Sequence, residues 1–179
     1  MIINGNIKGK YVTIRTVEEK DAEDTLKMRL NKEKTKFLHP VDNDLDKQKN
    51  WIRNVRIKQN DYFFVIVNCR NEIIGTVGIY DIEKKKAHIG RLLIYGNALE
   101  NIEAYLLAIK YGFDSLGIDE YWGDTDINNT SAIKYTKLFG FTYDPPVYDE
   151  ELSREVCYCN LNKESFKKAE QKISKMIYR

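Results

Sequence analysis

Between residues 62 and 95 the apolar positions fall into three runs with short polar breaks: YFFVIVNC (62–69), IIGTVGIYDI (73–82) and AHIGRLLIY (87–95). The first is dense in aromatic and β-branched residues and predicts a largely buried strand. The breaks RNE and EKKK are short enough to join the three as an antiparallel meander. Ahead of them, KYVTIRTV (10–17) alternates and predicts another strand. Helical spacing takes over elsewhere. EEKDAEDTLKMRL (18–30) carries acids in its first turn and Lys27 and Arg29 near its end, in keeping with the helix dipole. From Asp46, Trp51 and Val55 share a face with Ile52 beside them. Ile102, Leu106, Ile109 and Phe113 predict a long helix from about Glu100 to Leu116. The segment from Asn128 to Phe141 opens on a capping Asn or Thr and ends at Gly140. A last amphipathic helix, residues 163–179, places Phe166, Ala169, Ile173 and Met176 on one side. Strands are expected at 120–124 and 153–161, with loops at Pro40 and at Pro145-Pro146.

This order makes residues 87–95, 100–116 and 120–124 a βαβ unit, whose crossover requires the two strands to be parallel. The expected fold is therefore α/β (α+β): a mixed, mostly antiparallel central sheet with helices on both faces and one βαβ unit. With no repeat or Pro/Gly/Ser-rich linker, residues 1–179 read as a single domain.

Charge narrows the function. The 29 basic and 27 acidic side chains nearly cancel, leaving +2, with no clustered basic face for nucleic acid. The longest basic run, Lys84-Lys85-Lys86, reads as a solvated hairpin tip. No apolar stretch has the length of a membrane span and the N-terminus lacks the build of a signal peptide, so a cytoplasmic protein is expected. Cys69, Cys157 and Cys159 read as free thiols, and the two histidines, His39 and His88, lie far from them in sequence; no metal site is expected.

The stretch YGNALEN (95–101) joins a strand to the long helix, a junction where backbone amides can meet a phosphate, yet it holds a single glycine. In context, NEIIGTVGIYDI, AHIGRLLI, EAYLLAIKYGFDSLGIDEYW and NNTSAIKYTKLFGF resemble, in this order and spacing, the GNAT superfamily of N-acetyltransferases over about residues 8–161. The resemblance is to the branch that acetylates ribosomal-protein N-termini and nucleotide-linked amino sugars. It implies acetyl-CoA as co-substrate and a small-molecule or peptide amine as acceptor, acetylated by direct transfer in a monomer or homodimer. A non-catalytic acyl-CoA-binding or interaction module of the same fold is the alternative.

For the CoA arm, an edge between splaying parallel strands offers main-chain partners, here Leu92, Leu93 and Ile94. The pyrophosphate would meet the amides of Gly96, Asn97, Ala98, Leu99, Glu100 and Asn101. The family's Gln/Arg-x-x-Gly-x-Gly/Ala positions fall on Gly96, Leu99 and Asn101, and none matches; Glu100 adds a negative charge. Asn129 resembles the asparagine that contacts the CoA arm, and would equally serve as an N-cap. For chemistry, His88 is the first candidate base, or else a half-exposed strand histidine; Asp81 and Glu83 are weaker candidates. The family's acid tyrosine falls on Thr136, with Tyr135 one residue and about 100° away around the helix. The acceptor is expected among the N-terminal helices, the stretch 36–44 with His39, and the acidic, tyrosine-bearing stretch 143–151.

Overall fold

The computed structural model describes residues 1–150 and 153–178. Glu151, part of the acidic stretch above, and Arg179, the end of the expected last helix, lie outside the described residues. The elements are β1 Ile7–Lys8, β2 Val12–Thr16, α1 Ala22–Arg29, α2 Leu45–Ile57, β3 Tyr62–Asn68, β4 Ile73–Glu83, β5 Lys86–Ile94, α3 Ala98–Ser115, β6 Glu120–Asp126, α4 Thr130–Lys137, β7 Thr142–Tyr143, β8 Val147–Asp149, β9 Arg154–Asn162 and α5 Lys163–Ile177. The strands form one sheet in the order β1-β2-β3-β4-β5-β6-β9-β7, with β8 also on β9. Among the described strands only β5 and β6 run parallel, across the α3 crossover. The mixed, mostly antiparallel sheet with one βαβ unit is thus as expected.

Both faces are covered. Phe63, Val65 and Val67 of β3 pack with Val17, Ala22, Ile52 and Val55 on the α1–α2 side. Phe64 and Ile66 point the other way, into a larger core with Ile109 and Phe113 of α3 and Phe166 and Ile173 of α5. Two-sided burial explains why β3 reads as a continuous apolar run rather than an alternating one.

Local chemistry sets several boundaries. Residues 19–21 form a 3-10 turn before α1, because Asp21 folds back to accept from the Glu18 amide at 2.7 Å and from both terminal nitrogens of Arg15 at 2.7 and 2.8 Å. Asp44 caps α2 by accepting from the Asp46 and Lys47 amides. At the other end of the sheet, Tyr11 donates to the Ile177 carbonyl at 2.8 Å and ties β2 to α5.

The β4–β5 hairpin turns on Lys84 and Lys85, exposed as expected, but with φ of +47° and +67°. Two successive left-handed residues are what a tight hairpin needs to match strand twist, and Asn-Gly satisfies them with least strain. Replacing Lys84-Lys85 by Asn-Gly is therefore expected to raise stability by about 1 kcal/mol. Denaturant melts should show a higher midpoint at unchanged slope.

Candidate active site

The sheet splits between its two parallel strands. β5 and β6 pair only at Lys86–Glu120, Ala87–Tyr121 and His88–Trp122. Beyond His88, β6 stays with β9 as far as Asp126, while β5 stays with β4. The divergence coincides with a bulge at Arg91, whose φ is +51° and opposite which the β4 register shifts between Thr76 and Gly78. A bulge bends its strand and strengthens the twist. This one is pinned: the Thr76 hydroxyl donates to the Arg91 carbonyl at 2.8 Å, and the Arg91 guanidinium reaches both oxygens of buried Asp61 at 2.5 and 3.0 Å. The result is a cleft of about 590 Å³, walled by β5, β6, α4, α1, α2 and the linker between the last two. Along it the β5 edge from Ile89 onward has no β6 partner, leaving backbone groups for a ligand.

His88 stands at the head of the split. Its ring stacks on Trp122 with centroids 4.2 Å apart and lies 4.5 Å from Tyr80. Burial lowers its pKa below the usual histidine value, against the pull of Asp124, whose Oδ1 is 3.7 Å from Nε2. A neutral imidazole backed by a carboxylate can accept a proton.

Across the cleft, Thr136 lines the wall from α4. Its hydroxyl pairs with the Tyr143 hydroxyl at 2.7 Å and also donates to the Ala132 carbonyl at 2.9 Å. Tyr143 is on β7; its hydroxyl is also 3.4 Å from Thr125, and burial raises its pKa. Thr136 is thus backed by a phenol from a neighbouring strand, within the tyrosine-bearing stretch 143–151 but at a contact the sequence pattern did not signal. Tyr135 does not line the cleft: it donates to the Asn101 carbonyl at 2.7 Å and packs on Tyr105 and Phe139, bracing α4 against α3.

Leu92 and Leu93 line the cleft, as does Asn129, which also caps α4 by accepting from Ala132 at 3.2 Å. Ile94, paired with Gly75, and residues 96–101 lie outside it. At the start of α3 the amides of Asn97, Leu99, Glu100 and Asn101 are already engaged. Asn97 accepts from Leu99 and Glu100 at 2.9 and 3.1 Å, Glu100 accepts from Asn97 at 2.8 Å, and the Asn101 amide group donates to the Gly96 carbonyl at 2.8 Å. Here Glu100 and Asn97 make a capping box. A Cβ on Gly96 would come within 2.8 Å of the Glu100 carboxylate, so this glycine makes room for the cap.

The acidic groups of the cleft are Asp124 and Asp126, two positions apart on β6. The expected acids of 36–44 and 143–150 do not line it; of the 36–44 stretch, Phe37, Leu38, His39 and Val41 do. Asp81 is exposed and 3.8 Å from Lys58, and Glu83 is an exposed hairpin residue. Arg29 and Arg154, not singled out by the sequence reading, also face the cleft. Cys159 lies behind Gly123, outside the cleft lining, its thiol pushed up to about 11 by burial.

Residues 12–142 match the family described as Acetyltransferase (GNAT) domain. The chain belongs to the GNAT acetyltransferase family. Solved GNAT structures share its fold. A nucleotide-linked sugar GNAT, FdhC, superposes with a TM-score of 0.81 at 23% identity, over 96% of this chain and 98% of that one. A GCN5-related N-acetyltransferase from Brucella melitensis gives 0.81 at 14% identity, over 97% and 85%. Spermidine N-acetyltransferase from Vibrio cholerae, solved with CoA and spermine, gives 0.78 at 15% identity, over 88% and 99%. No curated protein matches the sequence significantly. GNAT acetyltransferases use acetyl-CoA. The split edge and the cleft of this GNAT chain fit the thioester end of such a donor. The capped amides opening α3 fit its pyrophosphate only if the side chains that hold them, Asn97 and Glu100, give way.

Proposed function

We propose that this GNAT chain is an acetyl-CoA-dependent N-acetyltransferase acting by direct transfer on a primary amine. One observation carries the reading: His88, Asp124 and Thr136 line a single cleft along the bare β5 edge, with Tyr143 bonded to Thr136 from behind. Acetyl-CoA supplies the activated acyl group. The backbone of Leu92 and Leu93 holds the donor's amide-bearing arm as an added strand would be held. His88 takes the proton that the neutral amine's nitrogen sheds as it bonds to the acyl carbon, and Asp124 steadies the imidazolium that results. Thr136, with Tyr143 behind it, returns a proton to the departing sulfur. A nitrogen–carbon bond forms, the thioester carbon–sulfur bond breaks, and one proton moves from nitrogen to sulfur by way of these groups. The Cys159 thiol, protonated at neutral pH and outside the cleft lining, is a poor nucleophile, in keeping with transfer without an acyl-enzyme.

Calorimetry with acetyl-CoA, followed by thiol-release assays over a panel of primary amines, tests this. Binding with amine-dependent thiol release is expected. Absence of acetyl-CoA binding at millimolar concentration would overturn it, and binding without release across the panel would leave the non-catalytic alternative.

A further inference from the structure

Two arginines from distant parts of the chain meet at the acceptor end of the cleft. Arg29, closing α1, donates to the His39 carbonyl at 2.6 Å. Arg154, opening β9, donates to the Phe37 carbonyl at 2.8 Å. Both guanidiniums thus hold the α1–α2 linker at carbonyls two residues apart, and both line the cleft. Among the described residues Arg29 has no carboxylate in ion-pair range, and Arg154 has only a long ion pair. Burial alone acts on the Arg29 pKa, downward. Arg154 has Asp126 at 3.6 Å, beyond hydrogen-bond length, and its Nε is buried without a partner. Asp126 is itself engaged with the Asn128 amide at 2.9 Å.

The third arginine of the cleft is different. Arg91 is neutralised by Asp61 in a two-point pair and lies over the Tyr80 ring at 4.0 Å, so its charge serves the bulge. Holding a linker carbonyl needs only a neutral donor. Sequestering two guanidiniums for that task, one with an unused buried N–H, leaves charge and donors unspent. A guanidinium's natural partner is a carboxylate or phosphoryl oxygen, which accepts from its planar fork.

We infer that the acceptor is an amine carrying an anionic group, phosphoryl or carboxylate, held by Arg29 and Arg154 while its nitrogen lies at Asp124 and His88. The inference rests on the transferase reading above for the placement of the amine. It sorts the substrates of the structural relatives: a phosphate-bearing amino sugar fits, and a polyamine, cationic along its length, meets like charge at both arginines.

The test uses matched acceptors that differ in the anion alone. Glucosamine 6-phosphate against glucosamine probes a phosphoryl group, alanine against alanine amide probes a carboxylate, and spermidine is the polycation. Binding is read by calorimetry and transfer by thiol release. In at least one pair the anionic member should bind at least tenfold more tightly, with spermidine weakest. In Arg29→Gln that ratio should collapse toward one, and Arg29→Lys should restore part of it; Arg154→Gln should act in the same direction, with circular dichroism to verify that each variant is folded. The pair that discriminates tells phosphoryl from carboxylate. Equal or tighter binding of the members lacking the anion, or of spermidine, would overturn the inference. So would a ratio that survives Arg29→Gln, or no binding of either anionic member. Transfer at a ratio near one would sink the anion site and spare the transferase. An anion preference in calorimetry with no thiol release would do the reverse.

Discussion

His88→Ala is expected to lower kcat/KM for amine acetylation by about 10²–10⁴-fold, the usual range for losing a positioned general base. The residue is well held for that task. Its ring is held between Trp122 and Tyr80 beside the split in the sheet. The pH profile gives the sharper check. Burial depresses the imidazole pKa below 6.5, so the reactive neutral form predominates at neutral pH. In wild type, kcat/KM should climb along an acid limb with its midpoint below 6.5 and level off above it. Asp124 pulls that pKa upward, so Asp124→Asn should move the limb to still lower pH as well as slowing the reaction. His88→Ala should lack the limb altogether. Tyr143→Phe should cost less, about tenfold, because the Thr136 hydroxyl that faces the cleft remains. Undiminished kcat/KM in His88→Ala, with the acid limb intact, would remove His88 from the mechanism.

What could be read in advance followed from periodicity. The β3–β5 meander, the α3 crossover and the apolar faces of α3 and α5 depend on local spacing, and each element stands close to its expected bounds, although in α5 it is Ile177 that completes the buried face while the expected Met176 is exposed. The short strands β1, β7 and β8 have two or three residues each, too few for a period to register. Of the candidate active site, His88 was visible as a rare residue at the start of an apolar strand. Its companions were not. Asp124 and Asp126 sit in a polar strand whose facing is decided by pairing with β9. Tyr143 reaches Thr136 only because β7 lies against Cys159 and Asn160. Arg29 read as a helix-dipole cation and Arg154 as an ordinary strand residue, because the linker that brings them together carries no pattern of its own. The strand-to-helix junction at 95–101 falls where periodicity puts it, but three of its amides, those of Asn97, Leu99 and Glu100, are bonded by its own side chains, which a count of glycines does not disclose.

The largest effect on stability is expected at Glu103, in the Glu-Ala pair that carried part of the family resemblance. The side chain is wholly buried within α3, and its carboxylate accepts from three successive backbone amides of the β1–β2 turn. Lys10 donates at 2.8 Å, Tyr11 at 2.7 Å and Val12 at 2.9 Å. A charge buried among apolar groups is tolerated only when such donors satisfy it, and the donors in turn have no water to fall back on. Glu103→Ala should therefore cost about 3–5 kcal/mol, the sum of orphaned amides and an unfilled hole. In a chain of this length that corresponds to a fall in Tm of about 10–15 °C. Glu103→Gln keeps one acceptor oxygen but turns an amide N–H₂ toward donors, and should cost roughly 1–2 kcal/mol. A second site makes the account separable from simple loss of packing. A Cβ on Gly9 would overlap the Glu103 carboxylate and press on Leu107, so Gly9→Ala should also destabilise. In the Glu103→Ala background most of that overlap is gone, and the same Gly9→Ala change should cost less. Unfolding free energies of the four proteins in this cycle measure the coupling directly. A coupling near zero, or Glu103→Ala as stable as wild type, would mean that the carboxylate does not hold the turn, and the anchorage of β1 and β2 to α3 would have to be sought in their apolar contacts alone.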